Sequence, residues 1–206
     1  MKNIIAVTAC LKRYSIAISY GDNIYEANEN MDASSNLVWS ADNLIKANNI
    51  DLQKIDGVIT ISGPGSFTGI RVAQSFAKGL ALSLNIPIAA VSYFEIIERK
   101  VKSLHYSSEN EHTPLLIIIK SEMNNIYYRY NDEVGVASCE SFKDKVNSNC
   151  ILAGDAIEEV SPYLKDKIIR VEYVCDFRDA KYLCDFSAEF KSHITPLYIN
   201  IQSSCK

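Results

Sequence analysis

No stretch of this 206-residue chain stays apolar over the roughly 20 residues that a membrane-spanning helix needs. The apolar residues 4–11 form a short run that Lys12 and Arg13 close, which favours a buried strand over a signal peptide. Positive charge is not in excess either, since the formal net charge is −4, whereas a chain that grips nucleic acid by itself usually has a basic face. We therefore expect a cytoplasmic protein with no membrane contact and with only indirect contact to nucleic acid.

The cysteines and histidines lack the spacings that build metal sites. The six cysteines contain no C-x-x-C pair, and the three histidines contain neither H-E-x-x-H nor an i, i+4 pair. A zinc site and a disulfide framework are therefore both disfavoured, and reduced thiols are expected instead. We predict no metal site. The residues concerned are Cys10, Cys139, Cys150, Cys175, Cys184, Cys205, His105, His112 and His193.

The pattern that is present is one of alternating strands and helices. Hydrophobic residues make up 48% and charged residues 22% of the chain, as in ordinary globular proteins of one or two domains. Residues 107–114 are polar and are interpreted as a linker. We predict an α/β fold with one domain over residues 1–106 and a smaller one over residues 107–206. The expected strands are 3–9, 14–20, 23–27, 57–61, 88–91, 115–119, 126–130, 134–138 and 151–153, and the expected helices are 37–48, 70–84, 92–102, 156–164 and 179–191.

The most informative segment is residues 58–71, which read V-I-T-I-S-G-P-G-S-F-T-G-I-R. A strand that turns through glycines into a helix, here at Ile70, either holds an anion or lets another backbone approach closely. The P-loop motif fails because no lysine follows Gly69, and a dinucleotide fingerprint is weak because no acidic residue lies about twenty positions further on. Ser66 is predicted to cap the helix, since G-P-G-S-F is not the G-x-S-x-G elbow of a nucleophile, and Asp155 is predicted to cap a later helix.

The string from Gly63 to Arg71 resembles G-P-G-S-F-T-G-[LIV]-R, the signature of the TsaB (YeaZ) family of tRNA threonylcarbamoyladenosine biosynthesis proteins. Weaker similarity extends along most of the chain, as far as Pro196-x-Tyr198. The resemblance implies an actin-like (ribonuclease H-like) fold of two α/β domains, the second smaller and degenerate. The signature residues are Gly63, Pro64, Gly65, Ser66, Phe67, Thr68, Gly69 and Arg71.

The resemblance also implies a role and a set of partners. Members of the family act as largely non-catalytic partners of the related subunit TsaD, which transfers a threonylcarbamoyl group to adenosine in tRNA. For this chain it implies a scaffold subunit with no catalytic residue and no cofactor. The implied partner is a TsaD-like subunit in a heterodimer, with a TsaE-like ATPase as a further partner, a homodimer as an alternative assembly, and only indirect contact with tRNA.

Four positions depart from the family pattern. In actin-like folds two acidic residues hold hydrated Mg²⁺ against phosphates, because this hard cation prefers carboxylate oxygens. Thr8 stands at the first of these positions, so one carboxylate is lost, and Lys120 stands at the second, where an ammonium group cannot hold a metal ion. Ala33 and Asn200 also differ from the family residues. We therefore expect that the chain neither binds Mg-ATP tightly nor turns it over.

Two helices are predicted to form an interaction surface. In the helix 37–48, Trp39 lies roughly opposite an apolar stripe made of Leu37, Val38, Ala41, Leu44 and Ile45, and exposed tryptophan is enriched at interface hot spots. In the helix 70–84, small side chains recur at i, i+4 and i+8, which permits close approach of another helix, either of a partner or of the same domain. In the TsaB family these two helices contact TsaD. The predicted surface comprises Trp39, Asp42, Asn43, Ser75, Gly79, Leu82 and Ser83.

Two other functions stay open at this point. One is a nucleotide-dependent phosphotransferase or hydrolase that uses the actin-like cleft. Thr8 and Lys120 count against it, and a measurement of ATP turnover distinguishes it from a scaffold. The other is a divergent homodimeric interaction protein, which is favoured if no TsaD-like subunit binds.

Overall fold

A computed structural model describes residues 3–9, 14–29, 33–104, 113–121, 125–173, 179–184, 190–191 and 194–195. The chain divides into two compact units, Met1–Ile96 with Asp176–Leu197 and Ile97–Cys175 with Tyr198–Lys206. The domain boundary predicted between residues 106 and 107 stays a prediction. In the described part of the chain, no helix has the length and hydrophobicity to cross a membrane.

The first part of the chain forms a five-stranded sheet and three helices. In chain order these are β1 (Ile4–Thr8), β2 (Tyr14–Tyr20), β3 (Asn23–Glu29), α1 (Ala33–Ala47), β4 (Gly57–Gly63), α2 (Phe67–Leu84), β5 (Ile88–Ser92) and α3 (Tyr93–Leu104). The strand order is β3-β2-β1-β4-β5. β1, β2 and β3 are antiparallel neighbours, whereas β4 and β5 run parallel to β1. Parallel neighbours need a crossover, and α2 supplies it between β4 and β5.

The central strand β1 is buried along its whole length, because helices cover the sheet around it. On one face, Ile5 and Val7 belong to the same apolar cluster as Leu37 of α1 and Ala73 of α2. A buried hydrogen bond of 2.7 Å between the hydroxyls of Tyr14 and Ser40 joins β2 to α1. The positions of α1 and α2 are therefore fixed by the core beneath them.

The second sheet repeats the first in element order. It comprises β6 (Leu115–Lys120), β7 (Asn125–Tyr130), β8 (Glu133–Ser138), β9 (Cys150–Gly154) and β10 (Ile168–Tyr173). The helix α4 (Phe142–Lys145) precedes β9 in the chain, and α5 (Ile157–Leu164) follows it. A last helix, α6 (Asp179–Cys184), follows β10 in the chain and belongs to the first unit. The strand order is β10-β9-β6-β7-β8. β6, β7 and β8 are antiparallel, and β9 and β10 run parallel to β6. The core of this sheet lies beneath α4 and α5.

The prediction of an α/β chain with two sheets is confirmed, and every predicted strand is present. Among the described strands and α-helices, two were missed. In β10, apolar residues alternate with charged residues, and Ile169 is exposed. The helix α4 is a single turn. Neither element therefore has a strong sequence pattern. The predicted helix 179–191 corresponds to α6 as far as Cys184, and residues 185–189 lie outside the described residues. α6 packs against β1 and β2, and its Ala180 N–H donates to Ser15 Oγ.

Candidate functional site

The signature residues form the turn from β4 into α2. Gly63 and Gly65 adopt φ angles of 115° and 151°, a backbone region that side chains with a Cβ atom rarely enter. Ser66 is the N-cap of α2, and its Oγ accepts a hydrogen bond from the Gly69 N–H at 3.3 Å. The predicted capping role of Ser66 is thus confirmed. The helix begins at Phe67, three residues before the predicted start.

Gly69 brings two backbone segments into direct contact. A Cβ atom at this position would lie 1.7 Å from the carbonyl oxygen of Ala9, so a side chain of any size is excluded there. The sequence left open whether the turn holds an anion or permits close approach of another backbone. For Gly69, close approach is the physical reason for glycine. It locks the first turn of α2 against the residue that follows β1.

Two further side chains fix the start of α2. The Arg71 guanidinium lies 3.7 Å from the centre of the Phe67 ring, a cation–π contact one helical turn apart. Gln74 is buried, and its amide nitrogen donates to the Ile61 carbonyl at 3.0 Å, which ties α2 to β4. Sequence reasoning missed Gln74, although a long polar side chain on the inner face of a helix signals a buried hydrogen bond.

Thr8 and Lys120 occupy the two positions that carry carboxylates in the family pattern. Thr8 is buried at the end of β1, opposite Ser15 of β2. Lys120 ends β6, and its ammonium group pairs with Glu159 Oε1 at 2.6 Å. Among the described residues, no group of three His, Cys, Asp or Glu side chains is placed to hold a metal ion. His105, His112, His193 and Asn200 lie outside the described residues.

Asp155 does not cap α5, contrary to the prediction. The N-cap position is Ala156, without a side-chain hydrogen bond, and Asp155 Oδ1 instead accepts a hydrogen bond from the Lys120 backbone N–H at 2.8 Å. Burial raises the pKa of the Asp155 carboxyl despite this hydrogen bond and the nearby Lys120 charge. The hydrogen bond with Glu159 raises the pKa of Lys120. The end of β6 is thus held to α5 by groups within the chain.

The variant Asp155→Asn is expected to raise the free energy of unfolding at about pH 7. Because burial raises the pKa of Asp155 in the folded chain, ionisation costs stability as the pH rises above the usual aspartate range. Asparagine stays neutral, and its amide oxygen still accepts a hydrogen bond from Lys120. The gain should vanish near pH 3, where aspartate is protonated in both states. Urea unfolding at the two pH values measures it, and an equal loss of stability at both would contradict the prediction.

The residues predicted to form an interaction surface lie on α1 and α2, which contact each other. Trp39 is 64% exposed and Leu82 is 84% exposed. Asp42 is exposed and pairs with Lys46 at 2.7 Å within α1. A Cβ atom added at Gly79 would meet no atom of the described residues within 4 Å, so among these residues the glycine is not required for packing. We call this surface the α1–α2 face: Trp39, Asp42, Asn43, Ser75, Gly79, Leu82 and Ser83, all exposed.

The prediction for one residue of the apolar stripe of α1 is wrong. Leu37 and Ala41 are buried as predicted, but Val38 is 67% exposed and lies beside Trp39 in the sequence. The pattern of α1 has apolar residues on more than one side, and the sequence alone does not say which of them the core takes. Val38 therefore adds apolar area to the exposed side of α1.

Comparisons with known proteins give the chain its relatives. The family model TsaD, tRNA N6-adenosine threonylcarbamoyltransferase, matches residues 31–188. The tRNA threonylcarbamoyladenosine biosynthesis protein TsaB of Buchnera aphidicola subsp. Baizongia pistaciae is 33% identical over 86 residues, 41% of this chain and 37% of that protein. The tRNA N6-adenosine threonylcarbamoyltransferase of Gluconobacter oxydans is 29% identical over 158 residues, 70% of this chain and 41% of that protein. The chain thus spans about two fifths of the length of these curated relatives.

A solved structure gives the fold. YeaZ from Pseudomonas aeruginosa matches with a TM-score of 0.78 at 18% identity, over 97% of this chain and 100% of that chain. The two mixed sheets of repeated strand order match this neighbour and the TsaD-like fold, so the predicted actin-like, ribonuclease H-like architecture is confirmed. The match to the TsaD family model covers more than half of the chain, so the chain belongs to the TsaD family of actin-like proteins, and within that family its signature turn and several of its curated relatives are similar to TsaB (YeaZ).

Proposed function

We propose that this chain is a non-catalytic scaffold subunit that pairs with a TsaD-like transferase and supports threonylcarbamoylation of adenosine in tRNA. The names of its relatives supply the reaction. The observation that carries the scaffold role is the α1–α2 face, where Trp39 of α1 and Leu82 of α2 expose large apolar side chains and the position of Gly79 is open. Exposed tryptophan and exposed apolar area are features of interaction sites.

The geometry of the α1–α2 face suits helix packing. Gly79, Ser75 and Ser83 leave a shallow strip along α2 into which a partner helix can pack closely, with Leu82 beside it. The hydrogen bond between Tyr14 and Ser40 and the core beneath α1 hold this helix in place. Because both helices are already ordered, binding costs little conformational entropy on this side of the interface.

The residues at the two carboxylate positions of the family pattern support a non-catalytic role for this chain. A hydroxyl at Thr8 and an ammonium group at Lys120 replace the two carboxylates that hold hydrated Mg²⁺ in the family pattern, and Glu159 already pairs with that ammonium group. The net charge of −4 gives tRNA no favourable electrostatic surface on the whole. Under this proposal, the reacting groups and the main tRNA contacts belong to the partner.

Light scattering behind a sizing column tests the proposal, with the chain alone and mixed with the TsaD-like subunit of the same organism. We expect a one-to-one complex. Replacing Trp39 with alanine should weaken its Kd by about tenfold to a hundredfold, since hot-spot aromatic residues contribute roughly 2 kcal/mol or more. Calorimetric titration measures the change.

Tyr163→Ala is the matched control, because Tyr163 is an aromatic residue that is 39% exposed on α5 of the second unit and is not part of the α1–α2 face. Its Kd should equal that of the unmodified chain. A chain that stays a homodimer in the presence of the TsaD-like subunit would contradict the proposed pairing and support a homodimeric interaction protein. Equal affinities for both variants would remove the α1–α2 face from the proposal.

A further inference from the structure

An apolar groove of about 750 Å³ lies at the C-terminal end of α2, within the first unit. It runs between the last turn of this helix and the short segment at residues 190–191. None of the signature residues, and of the α1–α2 face only Leu82, lines it. The apolar lining consists of Ala81, Leu82, Ile86, Pro87, Ile88 and Phe190.

The walls of the groove are fixed by local structure. Asn85 takes a left-handed conformation, and its N–H caps the carbonyls of Ala81 and Leu82, which ends α2 and turns the chain toward β5. On the opposite wall, Lys191 and Ile88 exchange two backbone hydrogen bonds of 3.0 and 2.7 Å. The Phe190 ring packs on Gly57, where an added Cβ atom would lie 2.6 Å from the ring. The groove is therefore preformed.

Among the described residues that line the groove, the charged side chains are two lysines. Lys78 lines it from α2 and Lys191 lines it from the opposite wall, and both are exposed. None of the described residues that line the groove is acidic. A segment that buries an apolar side chain between two ammonium groups gains most when carboxylates flank that side chain.

We propose that this groove binds an acidic segment of the partner protein, with one or two apolar side chains in the groove and carboxylates near Lys78 and Lys191. Leu82 connects the groove to the α1–α2 face, since it belongs to both. A partner packed on that face therefore reaches the groove without a second, separate interface. The inference rests on the proposed function, because the segment belongs to the same TsaD-like partner.

Charge reversal on each wall tests the inference, with Kd for the TsaD-like subunit measured by calorimetric titration at low and at high salt. Lys78→Glu and Lys191→Glu should each weaken binding by about fivefold to tenfold at low salt, and by less at high salt, where charge interactions are screened. Lys143→Glu makes the same change of charge at an exposed site of the second unit and should leave Kd unchanged. Pro87→Glu places a negative charge in the groove, which would repel the carboxylates of the proposed acidic segment. It does not alter the backbone hydrogen bonds of Lys191 and should also weaken binding.

The outcomes separate this inference from the proposed function. If the unmodified chain binds the TsaD-like subunit and the groove variants behave like Lys143→Glu, the groove inference is wrong and the scaffold proposal stands. If Lys78→Glu alone weakens binding, the effect comes from α2 and the groove is again excluded. If the unmodified chain does not bind this subunit, both proposals fail. Unfolding temperatures of the variants show whether each remains folded. If Lys191→Glu does not remain folded, the Kd of Pro87→Glu decides whether the groove takes part in binding.

Discussion

Replacing Gly69 with alanine is expected to lower the free energy of unfolding by about 4 kcal/mol or more, the range that only severe steric or packing defects reach. The added Cβ atom would lie 1.7 Å from the Ala9 carbonyl oxygen, far inside van der Waals contact. The obstacle is backbone, not the end of a flexible side chain, so relief requires α2 to move away from β1. Because the Gly69 N–H also takes part in the Ser66 cap, that movement disturbs the start of the helix as well.

Gly79→Ala is the matched control for this prediction. It makes the same substitution in the same helix, but in the part of the chain that the structure describes the added Cβ atom meets no atom within 4 Å. Alanine at an interior helix position stabilises by roughly 0.5–1 kcal/mol relative to glycine. Urea unfolding followed by circular dichroism should therefore move the two midpoints in opposite directions. A Gly69→Ala chain as stable as the unmodified one would show that Ala9 and Gly69 are not in close contact.

The strands could be predicted because their signal is local. β-branched runs such as those of β1 and β6 are buried on both faces, and they read as continuous apolar segments. The glycine-rich signature also gave the correct order of strand, turn and helix. The weak elements α4 and β10 lack such a signal, since one is a single turn and the other alternates apolar with charged residues.

The partners of particular atoms could not be predicted, because they depend on distant parts of the chain. Asp155 has the sequence context of a helix cap, yet its carboxylate accepts a hydrogen bond from Lys120, 35 positions away. Gly69 and Gly154 are both required by backbone contacts, with Ala9 and Ile118 respectively. The sequence shows a glycine in each case and does not name the backbone that approaches it.

The α1–α2 face also shows which features could be predicted from the sequence and which could not. The position of Trp39 opposite a core stripe follows from helical periodicity, and its exposure agrees with that. Whether the small residues around Gly79 pack inside the chain or remain open required coordinates, since both arrangements have the same sequence pattern. The open position now makes Gly79 the sharpest probe of the interface, because a change there has no steric cost within the chain.

Replacing Gly79 with arginine is expected to weaken the complex with the TsaD-like subunit at least about a hundredfold, or roughly 2.7 kcal/mol, while the chain remains folded. Position 79 is exposed, and an added Cβ atom there meets no described atom within 4 Å, so the arginine side chain can extend into solvent in the free chain. Arginine is also a better helix former than glycine. In the complex it would occupy the strip between Ser75 and Ser83 where a partner helix is proposed to pack. Calorimetric titration gives Kd, and urea unfolding shows that stability is unchanged or slightly higher.

Two control variants separate size from charge at this position. Gly79→Ala should weaken binding far less than Gly79→Arg, because a methyl group displaces the partner helix only slightly. Gln53→Arg adds the same charge at an exposed position of the first unit and should leave Kd unchanged, which excludes a general electrostatic effect. A Gly79→Arg chain that binds as tightly as the unmodified one would place the partner elsewhere. Because that variant gains rather than loses helix propensity, the expected loss of binding would not come from misfolding.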